Sequence, residues 1–259
     1  MIPEQLPQGT SDKETDSEPS SSLIMNFLSH LEELRIRLVR AVLFLAIGTG
    51  ICLIFSKYLL EFITQTFPTD DAAHLALLQP TEGFVVRLKV AFVAGLFLSS
   101  PVWFSQLWGF ISPALYKNEK KIIIPVVILS VFAFILGAAF GYWILPYATE
   151  YFRSFALDDM TVNWSLGKYL DFSLRLLVAF GVVFELPLIV YLMARLGIVS
   201  TKQLRKYRRY VFIGILIASG FITPPDIFTQ VVLTIPLIVL YELGIIMASI
   251  AIRKREKTE

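Results

Sequence analysis

The chain is poor in the residues that carry most protein chemistry. Among its 259 residues there is one cysteine, Cys52, and there are two histidines, His30 and His74. A lone cysteine excludes an intramolecular disulfide. Two distant histidines without a Cys/His cluster argue against a zinc site. No phosphate-binding glycine loop, G-x-S-x-G elbow or H-E-x-x-H pair occurs, so an ATP-driven or hydrolytic activity has no residues to carry it. An enzyme is therefore not expected, nor a metal, a cofactor or a nucleic-acid partner. Charge is scarce as well. Charged residues make up 17% of the chain, against roughly 25% in soluble domains, and they fall in short clusters between long uncharged runs.

Apolar residues fill the space. They make up 56% of the chain, and the mean hydropathy is +0.67, so the chain reads as an all-α membrane protein. Six candidate spans cover residues 38–55, 90–116, 122–149, 176–194, 210–225 and 227–252, each judged against the roughly 20 apolar residues a crossing needs. Pro101 and Pro113 interrupt the second span, and the third carries the small-residue pair Gly137 and Gly141. The fifth ends at Thr223-Pro224-Pro225, where proline cannot continue a helix. Its dozen helical residues reach roughly 18 Å against a hydrocarbon core of roughly 30 Å. The fifth and sixth therefore form a short hairpin that calls for local thinning or for company from other helices.

The polar segments set the ends and the orientation. Residues 1–22 are rich in Ser, Glu, Asp, Gln and Pro and read as a disordered polar tail. A membrane domain follows over residues 23–252, then a basic tail over 253–259. One set of connections concentrates Arg35, Arg37, Arg40, Lys117, Lys120, Lys121, Lys202, Arg205, Lys206, Arg208 and Arg209. The opposite set is richer in carboxylates, among them Glu61, Glu82, Glu150, Asp158 and Asp171. The positive-inside rule puts both termini in the cytoplasm. On the other side, residues 57–82 and 146–168 read as interfacial helices capping the bundle.

Four segments hold candidate site residues. In Ser29-His30-Leu31-Glu32-Glu33-Leu34-Arg35, Ser29 and Glu32 fit a capping box, which leaves Glu33 as a carboxylate on the basic side. In Ser112-Pro113-Ala114-Leu115-Tyr116-Lys117-Asn118-Glu119, Glu119 either pairs with its lysines or joins Glu33 in an acidic patch. Paired carboxylates suit guanidinium ligands, which bond them as a fork. Glu185 lies within the fourth span, where a charge costs at least about 2.5–3.5 kcal/mol. It serves either a functional contact or a structural hydrogen bond. In Thr223-Pro224-Pro225-Asp226, Asp226 suits the N-cap of the sixth helix. Gln230, one turn on, can hydrogen-bond a helix of another protein.

These segments, with Phe180-Gly181-Val182-Val183-Phe184-Glu185-Leu186-Pro187, resemble the TatC family, the multispanning subunit of the twin-arginine protein translocase. The resemblance runs from Phe27 to about Gly244. It implies a receptor that binds twin-arginine signal peptides of folded cargo. Such a receptor recruits single-span TatA-type and TatB-type partners in an oligomeric complex, and the proton-motive force drives transport. It further implies that Glu33 and Glu119 bind the signal, with Arg35 and Phe110 beside them. Glu185 would be the family's intramembrane acid, and Thr223 and Gln230 the region where partner helices dock. The expected location is a bacterial inner membrane or a thylakoid. The rival reading is a proton-coupled secondary transporter of a small solute, but the chain lacks the internal repeat that such folds show.

Overall fold

A computed structural model describes residues 18–67, 73–111, 123–155, 162–222 and 227–256. In chain order the elements are α1 Glu18–Ile54, α2 Ser56–Thr64, β1 Ala73–Ala76, α3 Glu82–Leu98, α4 Ser100–Ile111 and α5 Ile123–Arg153. They continue with β2 Val162–Ser165, α6 Leu166–Phe184, α7 Leu186–Arg195, α8 Thr201–Ile222 and α9 Ile227–Glu256.

By length and composition three stretches can cross a bilayer: Leu28–Ile54, Ile124–Arg153 and Leu166–Arg195. A fourth crossing is possible if α3 and α4 act together across a 56° bend. The bend has a local cause. Pro101 follows the break at Ser99 and cannot donate to the preceding turn. The Trp103 indole instead donates to the Leu96 carbonyl at 3.1 Å, satisfying a backbone acceptor beside the break. α8 does not reach the same standard, because its first half is Lys202 to Arg209 and only its second half is apolar. In α9 the apolar part is Thr234–Ile250.

Several boundaries differ from the sequence reading. α1 begins at Glu18, so Ser29 and Glu32 lie well inside a continuous helix and do not cap its start. A capping box competes with the helix only where the chain arrives non-helical, and here it arrives helical. α3 and α6 begin earlier than the apolar runs did, taking in Lys89, Asp171 and Arg175. Lys89 Nζ and Asp171 Oδ1 form an ion pair between those two helices at 2.6 Å. α9 runs on to Glu256, into the segment read as a basic tail.

The cap at the end of α1 also differs from expectation. α2 is a helix, but residues 73–76 and 162–165 pair as two short parallel strands, with Ala73 opposite Val162 and Ala76 opposite Ser165. Glu82 clamps this end together. Its Oε2 accepts from the Leu78 and Gln79 amides at 2.6 and 3.2 Å, and its Oε1 accepts from Ser165 Oγ and the Gly167 amide, each at 2.7 Å. A side chain at Gly167 would stand 2.6 Å from that oxygen, so the clamp requires glycine there. The main core lies just below, where Val86, Val90, Leu145, Tyr169, Leu170, Leu176 and Phe180 pack between α3, α5 and α6.

Glycines set a close crossing between α5 and α6. Gly137 on α5 rests against the Phe180 carbonyl of α6, and Gly181 on α6 rests against the Phe134 ring of α5. The absence of a side chain lets the two backbones approach, as small-residue crossings in membranes do.

Candidate functional site

Glu33 stands half-buried on the face of α1 that turns toward α4, near the end away from the sheet. Arg37, one turn on, donates from Nε and Nη2 to Glu33 Oε1 at 2.9 and 2.7 Å. The spacing of four residues places both on one helix face. Both donors use the same oxygen. Among the described residues, Glu33 Oε2 has only His30 Nδ1 near it, at 4.0 Å, and a carboxylate can accept several bonds. The patch therefore keeps an open acceptor. His30 in turn stacks on Phe110 of α4, with centroids 4.4 Å apart and planes 18° from parallel. Gly109 lies directly against the Arg37 guanidinium, with no room for a side chain without displacing it. α4 thus walls the patch on one side.

Among the expected site residues, the structure brings Glu33 and Phe110 together through His30. Arg35 turns elsewhere, pairing loosely with Glu32 at 3.6 Å on an exposed face. Glu119, Thr223 and Asp226 lie outside the described residues. Sequence reasoning passed over Arg37, His30 and Gly109 as members of the patch. Arg37 could have been found from its spacing to Glu33, and His30 likewise. Gly109 could not, because its contact joins two helices.

Glu185 occupies the junction where α6 ends and α7 begins, with Pro187 in the first turn of α7. It is 6% exposed, and among the described residues the one polar group that bears on its carboxylate is the Ser130 hydroxyl of α5, which itself accepts from the Trp108 indole at 2.8 Å. No cation among the described residues compensates Glu185, so its burial is a structural cost.

Gln230, expected to meet partner helices, is engaged within the chain. Its Nε2 donates to the Leu216 carbonyl at 2.6 Å, and Ser219 and Thr234 share a hydrogen bond at 3.2 Å. Two further ties that the sequence did not suggest join α8 to α9. Arg208 Nη2 donates to Glu242 Oε2 at 2.6 Å, and the Tyr241 hydroxyl donates to the Leu204 carbonyl at 2.9 Å.

The relatives of this chain agree with one another. A family model described as Sec-independent protein translocase protein (TatC) matches residues 29–236. The Sec-independent protein translocase protein TatC of Desulforapulum autotrophicum is 39% identical over 236 residues, covering 90% of this chain and 87% of that one. The protein of the same name from Aquifex aeolicus is 37% identical over 239 residues, covering 91% and 99%. A crystal structure of the twin arginine translocase receptor TatC superposes with a TM-score of 0.76 at 35% identity, covering 86% of this chain and 99% of that one. All are translocase components, so the reading as a small-solute transporter is not favoured. The chain is a membrane protein of protein transport, and it belongs to the TatC family of Sec-independent, twin-arginine translocase components.

Proposed function

We propose that this chain is the receptor and core subunit of its translocase, and that it captures the arginine pair of a signal peptide at Glu33 together with Glu119. The observation that carries this reading is the open Oε2 of Glu33 beside the His30–Phe110 stack. One guanidinium of the ligand adds to that oxygen while Arg37 holds the other, and the stacked rings offer a flat surface for its plane. Arg37 keeps the carboxylate fixed in one rotamer before the ligand arrives, which lowers the ordering cost of binding. The apolar part of the signal then lies along the bundle.

In this reading the chain makes six crossings with both ends in the cytoplasm of a bacterium, or the equivalent side of a thylakoid. α8 and α9 are the short pair, and single-span TatA-type and TatB-type partners complete that edge near Thr223 and Gln230. Glu185 serves partner assembly or water access, and transport draws on the proton-motive force. The exposed apolar face of α1, including Leu38, Val39 and Val42, suits lipid or a neighbouring subunit.

The test is binding of a synthetic twin-arginine signal peptide to the purified full chain. Glu33→Gln should weaken binding by about 2 kcal/mol, or roughly thirtyfold, as expected for a lost charge-assisted hydrogen bond. Glu119→Gln should weaken it further, and thermal stability should hardly change, because an exposed pair four residues apart contributes only about 0.3–0.5 kcal/mol. Undiminished affinity in the double variant would overturn the assignment.

A further inference from the structure

A cavity of about 800 Å³ opens between α1, α3 and α6, within the roughly 300–1,000 Å³ typical of ligand sites. Its walls include neither Glu33 nor Glu185. Thr49 lines it from α1, sixteen residues beyond Glu33 and so roughly 24 Å along that helix. It is therefore separate from the signal-binding patch proposed above.

The lining is divided. Leu88, Phe92 and Val178 are among its apolar walls, and Lys89, Asp171 and Arg175 are its charges. Lys89 and Asp171 neutralise each other at 2.6 Å. Arg175, one turn further along α6, is exposed and has no carboxylate partner among the described residues. The cavity therefore carries one uncompensated positive charge. Both α3 and α6 run away from the sheet, and helix side chains lean toward the helix N-terminus. Lys89 and Arg175 thus lean toward the sheet-bearing end, and the apolar walls continue below them. Arg175 sits nine residues into α6, about 14 Å from its start, inside a stretch apolar enough to cross a bilayer. A guanidinium at that depth calls for an anion.

We infer that this cavity binds an anionic phospholipid, its phosphate on Arg175 with Lys89 alongside and one acyl chain along Leu88, Phe92 and Val178. Charge complementarity selects this occupant. A guanidinium bonds phosphate as a planar fork, and the same molecule supplies the apolar part. An uncharged peptide helix would fill the apolar walls and leave Arg175 unmet. A zwitterionic lipid brings its own ammonium into competition for the phosphate.

The experiment titrates the full chain in detergent micelles with dioleoyl phosphatidylglycerol or dioleoyl phosphatidylcholine, and counts retained lipid by native mass spectrometry. One phosphatidylglycerol should be held at least about tenfold more tightly than phosphatidylcholine, the difference expected from one charge-assisted hydrogen bond. Arg175→Gln should abolish that preference, and Arg175→Lys should keep part of it. Ala179→Phe, which fills the cavity and leaves its charges in place, should weaken retention of both lipids, and it carries the test if Arg175→Gln does not fold. Equal retention of the two lipids by the native chain would overturn the inference. So would a preference unchanged in Arg175→Gln, or retention unchanged in Ala179→Phe. If Arg175→Gln instead costs affinity for a twin-arginine signal peptide and none for lipid, the cavity belongs to the peptide and the inference is equally overturned. Because signal binding at Glu33 is read in a separate titration, failure of one assignment leaves the other standing.

Discussion

Two carboxylates of this bundle, Glu33 on α1 and Glu185 between α6 and α7, carry the same chemical group into opposite surroundings. Glu33 is about one-third exposed and is held by Arg37 through one oxygen, with the other left open. Glu185 is buried, and among the described residues it meets no cation, only the Ser130 hydroxyl. The first arrangement costs the fold little and presents a charge that a cationic ligand can find. The second costs the fold stability and offers nothing to a ligand that stays outside. The contrast therefore separates the proposed recognition group from a carboxylate whose surroundings lie inside the bundle.

The contrast can be broken by substitution, and the largest effect is expected at the buried member. Glu185→Leu should raise stability by about 2 kcal/mol, since it removes an uncompensated polar group from an apolar interior. Thermal unfolding of the purified chain in detergent measures this, and transport should be lost in the same variant. A drop in stability would mean that Glu185 has a partner and is structural. Gln230 is the intermediate case, a polar side chain whose amide is satisfied across α8 and α9. Gln230→Leu should cost about 0.6 kcal/mol, the average for such bonds in membrane bundles. A loss of co-purifying single-span partners beyond that small cost would give the residue a second role. The smallest effect is expected at Gly109. Gly109→Ala pushes the Arg37 guanidinium aside and should cost about 0.4 kcal/mol, the worth of one helical ion pair, while peptide affinity falls by no more than about threefold as Glu33 loses its fixed rotamer. A loss of peptide affinity as large as that of Glu33→Gln would show that Arg37 contributes directly to the ligand site.

Some of this could be read before any coordinates. Long uncharged runs located α1, α5 and the lower parts of α3 and α6, because lipid-facing helices need no polar stripe. The short apolar part of α8 was legible in its basic first half, whereas the full lengths of α8 and α9, 22 and 30 residues, were not. Glu33 was legible because a carboxylate is out of place among basic residues. Helix starts were less so, because Lys89 and Asp171 read as loop charges until α3 and α6 bring them together. The strand pair was hidden for the same reason. Ser165 bonds Glu82 across 83 residues of chain, and strands of four residues have too little pattern to announce themselves. The contact of Gly109 with Arg37 depends on the crossing of α1 and α4, which no local pattern encodes.

The short α4 touches both carboxylates' surroundings. Its adjacent residues Trp108 and Gly109 reach in different directions. One bonds the hydroxyl that bears on Glu185, and the other lies against the arginine that holds Glu33. Twelve residues make a rod of roughly 18 Å, set at 56° to the helix before it and free of that helix's hydrogen-bond ladder at Pro101. Two neighbouring residues of this rod therefore touch the surroundings of both carboxylates, the surface one through Arg37 and the interior one through Ser130.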